Sequence, residues 1–342
     1  MSTTLLEAAG LTRVFAARSG LLASLLGAGP GLRAVDDVSF SIARGEVLAL
    51  VGESGSGKTT TGRLVTLQEP RDAGTLRFAG AEIGALSGPA LKAYRRRVQM
   101  IFQNPFESLD PRRTVLDAVT DPLAVHGLGS ARERRGRAEA ALESVELRPA
   151  SGFLARYPSD LSGGQLQRVA IARALVLEPA LIVADEPVSM LDVSVRSGVM
   201  NLMLGLRERL GVGFLFITHD LAVARHMADR IAVMYLGRIV EEGPAEAILA
   251  AAGHPYSRLL RAAVPEHRAG MRRARVRLAG EPGSLSALPA GCRFHPRCPR
   301  AEPRCAAEAP PPVSLGAGRM AACHFAEEVA SRGLPAPVEE SA

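Results

Sequence analysis

The stretch VGESGSGKTT, residues 51–60, is where residue type and spacing most directly specify chemistry. Gly52 to Thr59 fits G-x-x-x-x-G-K-[ST], a pattern that suits a loop wrapped around the phosphates of a nucleotide. Glycines at 52, 55 and 57, with Ser54 and Ser56 between them, let the chain curl so that successive N–H groups face one anion. Lys58 is placed to reach the β- and γ-phosphates, Thr59 to offer its hydroxyl to Mg²⁺, and Thr60 to add a contact near the α-phosphate. A chance glycine-rich turn would lack the flanking pattern: an apolar run before the loop and helix-forming sequence after it.

A second element is LIVADE, an apolar run that ends in Asp185 and Glu186. A buried strand stopping there puts both carboxylates at the C-terminal edge of a sheet, where ligands of open α/β sheets bind. Asp185 then faces Mg²⁺, and Glu186 is free to polarise a water for in-line attack on the γ-phosphate. Alone the run says little; beside the phosphate loop it says much. A third element, LSGGQ, sets Ser162, Gly163, Gly164 and Gln165 at the start of a helical run, another anion-binding arrangement. One nucleotide does not require two such loops from one chain. The economical reading is a head-to-tail pair of chains, each loop closing over the nucleotide of the other.

Cys292, Cys298, Cys305 and Cys323 are the only cysteines, and they fall in a proline-rich, turn-rich segment. In a cytosolic protein such a set suits a tetrahedral sulfur site, zinc or an iron–sulfur cluster, rather than a disulfide framework. The spacing lacks the C-x₂₋₄-C knuckle of structural zinc. His295 and His324 lie close by, but four sulfurs already complete a ligand set, and free thiols remain an alternative. Such a site would staple a small domain that buries little apolar surface.

These groups need a scaffold, and the first 250 residues supply one by alternating β-branched runs with helical patterns, as in an α/β domain with a largely parallel sheet. Strands are expected at 47–51, 98–102, 181–184, 213–218 and 231–235, a turn at 44–46, and helices at 57–67, 131–145, 165–177 and 194–210. In the last of these Val195, Val199, Leu202, Met203 and Leu206 recur at near-helical spacing and read as core. The sequence divides into a nucleotide-binding domain over 1–250 with a helical part at about 104–178, a cysteine-containing domain over 251–330, and a disordered tail over 331–342. Residues 18–33 read as an exposed insertion. At 47% apolar and 22% charged the chain is ordinary globular protein. No run approaches the roughly 18–20 apolar residues that span a bilayer, so the chain is neither channel nor permease by itself. The N-terminus has no basic-then-apolar leader, which points to the cytoplasm. A net charge of +6 is compatible with nucleic acid or an anionic surface, and equally with a mildly basic solvated exterior.

Taken in order, the phosphate loop at 52–60, Gln103 in QMIFQNPFESLDPR, LSGGQ, LIVADE, SMLD at 189–192 and His219 in LFITHD resemble the ATP-binding subunits of ABC transporters. NPFESLDPRRTV, ADEPVSMLDVSV, HPYSRLL at 254–260 and GCRFHPRCP at 291–299 resemble the oligopeptide/dipeptide importer family within them. The resemblance implies an ABC-type P-loop α/β domain with a helical subdomain and a small cysteine-containing C-terminal domain. It implies that Gln103 senses Mg²⁺ and the attacking water, that Ser189–Asp192 crosses a dimer interface, and that His219 contacts the γ-phosphate. An adenine-stacking aromatic falls on Phe15, with Val14 where Tyr often stands. Leu166 replaces a usual Arg and Met190 a usual Ala. The four cysteines match the pattern by which longer family members hold a [4Fe–4S] cluster. The implied partners are two membrane permease subunits, a second ATP-binding subunit (itself or a paralogue), and indirectly an extracytoplasmic solute-binding protein. The implied place is the cytoplasmic face of the membrane, and the implied solute a peptide, nickel or a related small solute. A soluble ABC-type ATPase acting on nucleic acid or ribosomes is the alternative. Against it stand the single nucleotide-binding domain and the lack of room between Lys58 and Ser162 for a long coiled coil, and no RNA-binding aromatic pattern accompanies the arginines at 95–97 and 132–137. An exporter is disfavoured by the importer-like tail.

Overall fold

The computed structural model describes residues 4–16, 31–262 and 283–334. The chain begins with β1 (Thr4–Phe15), β2 (Leu32–Ala43) and β3 (Val47–Val51), followed by α1 (Lys58–Val65), β4 (Ala73–Phe78) and β5 (Ala81–Glu82). Next come α2 (Gly88–Arg97), β6 (Val98–Ile101), α3 (Pro105–Ser108), α4 (Val115–Val125), α5 (Ala131–Ser144) and α6 (Gly163–Leu175). They lead to β7 (Leu181–Asp185), α7 (Val193–Leu210), β8 (Gly213–Thr218), α8 (Leu221–Met227), β9 (Arg230–Tyr235) and β10 (Arg238–Pro244). The C-terminal part contains α9 (Ala245–Ala251), α10 (Pro255–Ala262), α11 (Pro303–Ala307), β11 (Val313–Gly316), β12 (Arg319–Ala321) and α12 (Ala326–Arg332).

The main sheet has the order β11-β12-β10-β9-β3-β8-β7-β6. Strands β9, β3, β8, β7 and β6 are mutually parallel and are the five expected from sequence, the second of the expected strands ending at Ile101 rather than Phe102. VLALV of β3 and LIVAD of β7 are buried throughout, because both faces of the parallel sheet are covered, one by helices and the other by α1 and a second sheet, leaving no side for polar alternation. Their parallel pairing with β8 in register sends Val51, Asp185 and Thr218 to the same edge of the sheet. That edge is where the phosphate loop, Glu186 and His219 follow on.

A second, antiparallel sheet, β2-β1-β4-β5, lies outside the sequence expectation. Strand β1 contains Gly10 at φ +62°, and its pairing with β2 shifts register four times, so its hydrophobic pattern never settles into a clean period of two. Strand β2 does alternate, Val38, Phe40 and Ile42 inward with Ser39 and Ser41 between, and that signal was available.

Helices α4, α5 and α6 form the helical part, each opened by a reciprocal cap: Thr114 with Asp117, Ser130 with Glu133, Ser162 with Gln165. Leu166, an Arg in the resembling family, is fully buried on α6 and contributes to the main core. Val199, Leu202, Met203 and Leu206 of α7 are buried as their spacing indicates. Downstream of 250 the chain returns to the main sheet: β12 pairs with β10, and Glu241 of β10 accepts from the N–H groups of Gly253 (2.6 Å) and His254 (3.0 Å). Helix α12 runs to Arg332, inside the segment expected as tail; 335–342, and most of the expected insertion at 18–33, lie outside the described residues.

Candidate functional site

The phosphate loop leaves β3 at Val51 and enters α1 at Lys58. Two of its glycines are compulsory. A Cβ on Gly52 would stand 2.1 Å from the Met234 carbonyl oxygen, and one on Gly57, at φ +105°, 2.2 Å from that of Ala34. The loop therefore curls hard against β9 and β2. The Lys58 ammonium is buried inside the curl, its Nζ donating to the carbonyls of Gly52 and Glu53 at 2.8 Å each. Burial lowers the Lys58 pKa, while the charges of Glu186, Asp185 and Glu53 work to keep it protonated.

Thr59 donates its hydroxyl to Asp185 Oδ1 at 3.2 Å across the sheet edge. Asp185 is nearly inaccessible; burial pushes its pKa up, the Thr59 hydrogen bond opposes this, and the neighbouring Glu186 charge adds to it. A buried carboxylate beside a hydroxyl, both ligands of the hard-oxygen type, fits a Mg²⁺ ion that would relieve that cost. Glu186 itself has φ +45°, a left-handed backbone, and its N–H donates to Ile217 O at 2.9 Å. Its carboxylate is held from two sides: Gln103 Nε2 donates to Oε2 at 3.2 Å, and His219 Nδ1 lies 3.0 Å from Oε1. Lys58, Thr59, Asp185, Glu186, Gln103 and His219 thus form one connected group, assembled from the C-terminal ends of β3, β6, β7 and β8.

The remaining expected residues sit elsewhere. Ser162 and Gln165 bond each other across the first turn of α6, and Gly164 packs so closely on Val195 that a Cβ would come within 2.4 Å of it. Asp192 caps α7 through Val195 N–H at 3.0 Å. Ser162, Gly163 and Asp192 are exposed, as are the apolar Met190 (66%) and Val193 (77%) beside them. Phe15 ends β1 half-buried, with the Arg13 guanidinium 4.8 Å from its ring centroid.

The four cysteines are unpaired thiols that line one small cavity with His254 and Phe325. Burial pushes the Cys292 thiol up, Cys298 to about 12 and Cys323 to about 11. Among the described residues no group of three or more His, Cys, Asp or Glu is set to hold a metal ion. His295 and His324 turn their ring nitrogens to the backbone carbonyls of Cys292 and Glu308. Sequence reasoning missed one partner of the phosphate loop, Arg297, which forms an ion pair with Glu53; its only sequence signal is its place beside Cys298.

Comparison with known proteins agrees with this architecture. The ABC transporter family model matches residues 35–189, and that of the oligopeptide/dipeptide transporter C-terminal region matches 240–305. A probable peptide ABC transporter ATP-binding protein of Sinorhizobium fredii is 45% identical over 324 residues, 95% of this chain and 90% of its own. A dipeptide transport ATP-binding protein of Haemophilus influenzae is 42% identical over 322 residues, covering 94% and 97%. Among solved structures, a dimeric ATP-binding cassette in a post-hydrolysis state with ADP and Pi superposes with TM-score 0.61 at 31% identity, over 70% of this chain and 99% of that one. The chain belongs to the ABC transporter family, among the ATP-binding proteins of the oligopeptide/dipeptide type. Membership makes it an ATPase, and leaves the nucleic-acid or ribosome alternative without support.

The raised Asp185 pKa sets a sign. A carboxyl harder to ionise in the folded than in the unfolded chain costs stability above its folded pKa, and the cost vanishes on acidification. Asp185→Asn should therefore melt at the same or a higher temperature than wild type at pH 7 without ligand, and lose the further rise that Mg²⁺ and nucleotide together give wild type. Thermal scans with and without Mg²⁺-nucleotide check both.

Proposed function

We propose that this chain is the subunit whose ATP hydrolysis powers import of peptides, or of a related small solute such as nickel, through a membrane transporter. The observation that carries the catalytic part is Glu186, aimed by Gln103 and His219 and placed directly after the buried Asp185. Gly52, Ser54, Gly55, Ser56, Gly57 and Thr60 would cradle the phosphates through the loop and the start of α1, with Lys58 neutralising charge and Phe15 stacking on the base. Thr59, Asp185 and Gln103 would hold Mg²⁺, which when bound screens the charge of the β- and γ-phosphates. Glu186 orients the attacking water and accepts its proton; His219 fixes the carboxylate and faces the γ-phosphate.

A second copy completes the site. Exposed Ser162 and Gly163, the half-buried Gly164 and Gln165 behind them, Asp192 and the bare apolar Met190 and Val193 form a surface suited to closing over the nucleotide of a head-to-tail partner, itself or a paralogue. A cleft of about 300 Å³ between β6, α4 and α6, lined by Phe102, Asp121, Val125, His126 and Arg173, suits the end of one short helix from a permease subunit, so that the two ATP-binding chains would take one from each of two. Val125, 64% exposed, offers it apolar contact. In this reading the chain sits on the cytoplasmic face of the membrane and depends indirectly on an extracytoplasmic solute-binding protein. No helix of the described residues is long and apolar enough to cross a membrane.

The four thiols around one cavity, none of them in a disulfide, support a [4Fe–4S] cluster as a structural staple, with zinc as the alternative.

Glu186→Gln, purified from membranes with its permease subunits, should bind ATP like wild type, accumulate as a closed dimer and hydrolyse about 100-fold or more slowly, the scale of a lost general base. Near-wild-type turnover removes Glu186 from its role, and recovery with ribosomes but no membrane subunits removes the transport assignment. Anaerobic purification with metal analysis and visible absorption should show brown protein with about four irons per chain; colourless protein with one zinc, or folded metal-free protein, contradicts the cluster.

A further inference from the structure

The phosphate loop is gripped from outside the cassette by the C-terminal segment, and the grip falls on Glu53. Arg297 spans its carboxylate with two parallel bonds, Nη1 to Oε2 at 2.8 Å and Nη2 to Oε1 at 3.1 Å. The pair is shielded, the side chains being 6% and 21% exposed. The Glu53 backbone N–H donates to the Tyr256 hydroxyl at 2.9 Å, and Arg297 also donates to that of Tyr235 at 3.3 Å. Tyr235, Tyr256 and Phe294 pack edge-on and tilted into one aromatic block beside these contacts, with centroids 4.7–5.3 Å apart. Arg293 pairs with Asp36 and donates to Leu236 O, one residue before Gly237, whose N–H donates to Ser56 O at 2.8 Å. Both arginines stand next to a cysteine, Arg293 after Cys292 and Arg297 before Cys298.

A carboxylate in a loop built to receive a triphosphate is an electrostatic conflict. Unpaired, Glu53 would repel the incoming polyanion, and it would draw the Lys58 ammonium toward itself and away from the phosphates. We propose that Arg297 and Tyr256 are positioning residues of the ATP site: the C-terminal segment neutralises Glu53 and ties down its amide, so the loop meets ATP without an uncompensated negative charge. The proposal rests on the reading of 52–60 as the nucleotide site. It also gives the cysteine-bearing segment a task, since whatever orders the loop from Cys292 to Cys298 orders the two arginines that reach the cassette.

The test measures affinity of the full-length chain for a non-hydrolysable ATP analogue with Mg²⁺, then KM and kcat in the assembled transporter. Arg297→Gln should bind the analogue about tenfold more weakly, the scale of one unmasked charge near the phosphates in a partly solvated site. It should raise KM with a smaller change in kcat. The double variant Glu53→Gln/Arg297→Gln, which removes both charges, should return to near wild-type affinity. Glu53→Gln alone should bind at least as tightly as wild type, and it keeps the test decisive should Arg297→Gln not fold. Unchanged affinity in Arg297→Gln, a double variant as weak as the single, or weakened binding by Glu53→Gln each overturns the proposal, the last two by making Arg297 a purely structural support. A wild-type chain that binds no analogue overturns the nucleotide-site reading, and the proposal with it.

Discussion

The Lys58 ammonium, buried within a backbone curl and answered by two carbonyls of its own loop, is the constraint around which the rest of the structure is arranged. A charge so deeply placed is tolerated because it is hydrogen-bonded and because Asp185, Glu186 and Glu53 stand close enough to hold it protonated against burial. The curl demands Gly52 and Gly57 where the chain scrapes past backbone oxygens of β9 and β2. Those strands, and the sheet that orders them, are therefore as much part of the phosphate site as the loop is.

The same logic explains why the site is divided among so many elements. Parallel strands in register deliver their C-terminal ends to one edge, so residues far apart in sequence meet without long side chains: Thr59 reaches Asp185, and Gln103 and His219 reach Glu186 from opposite sides. The left-handed backbone at Glu186 turns the chain directly after β7 while keeping its N–H bonded to β8. On the far side of the loop, the Glu53–Arg297 pair and the aromatic block beside it tie the C-terminal segment to the same curl. Strand β12 on β10 ties it to the sheet as well.

Legibility in the sequence follows these physical differences. The buried parallel strands are continuous apolar runs and could be read directly, while 52–60 and 181–186 stand out because phosphate chemistry permits few residue types at few spacings. Gln103 and His219 carry no local signal; only their order in a family resemblance singled them out, and their convergence on Glu186 depends on sheet register. In the antiparallel sheet β1 stayed hidden because bulges break its alternation, whereas the alternation of β2 was there to be read. Arg297 stayed hidden because its significance lies in a partner, Glu53, more than two hundred residues away. The cysteine segment shows four sulfurs with clarity, but their gathering around one small cavity belongs to the fold and is not a property of spacing along the chain.

The central claim is that the buried Lys58 charge is held ready for the triphosphate rather than for the fold. Titration of Lys58→Ala with a fluorescent ATP analogue, alongside its thermal denaturation, tests this most directly. The account predicts that nucleotide binding is lost while the ligand-free chain melts at or above the wild-type temperature, because a desolvated charge has been removed. A variant that binds nucleotide as wild type does, or one that binds weakly only because it has unfolded, would contradict it.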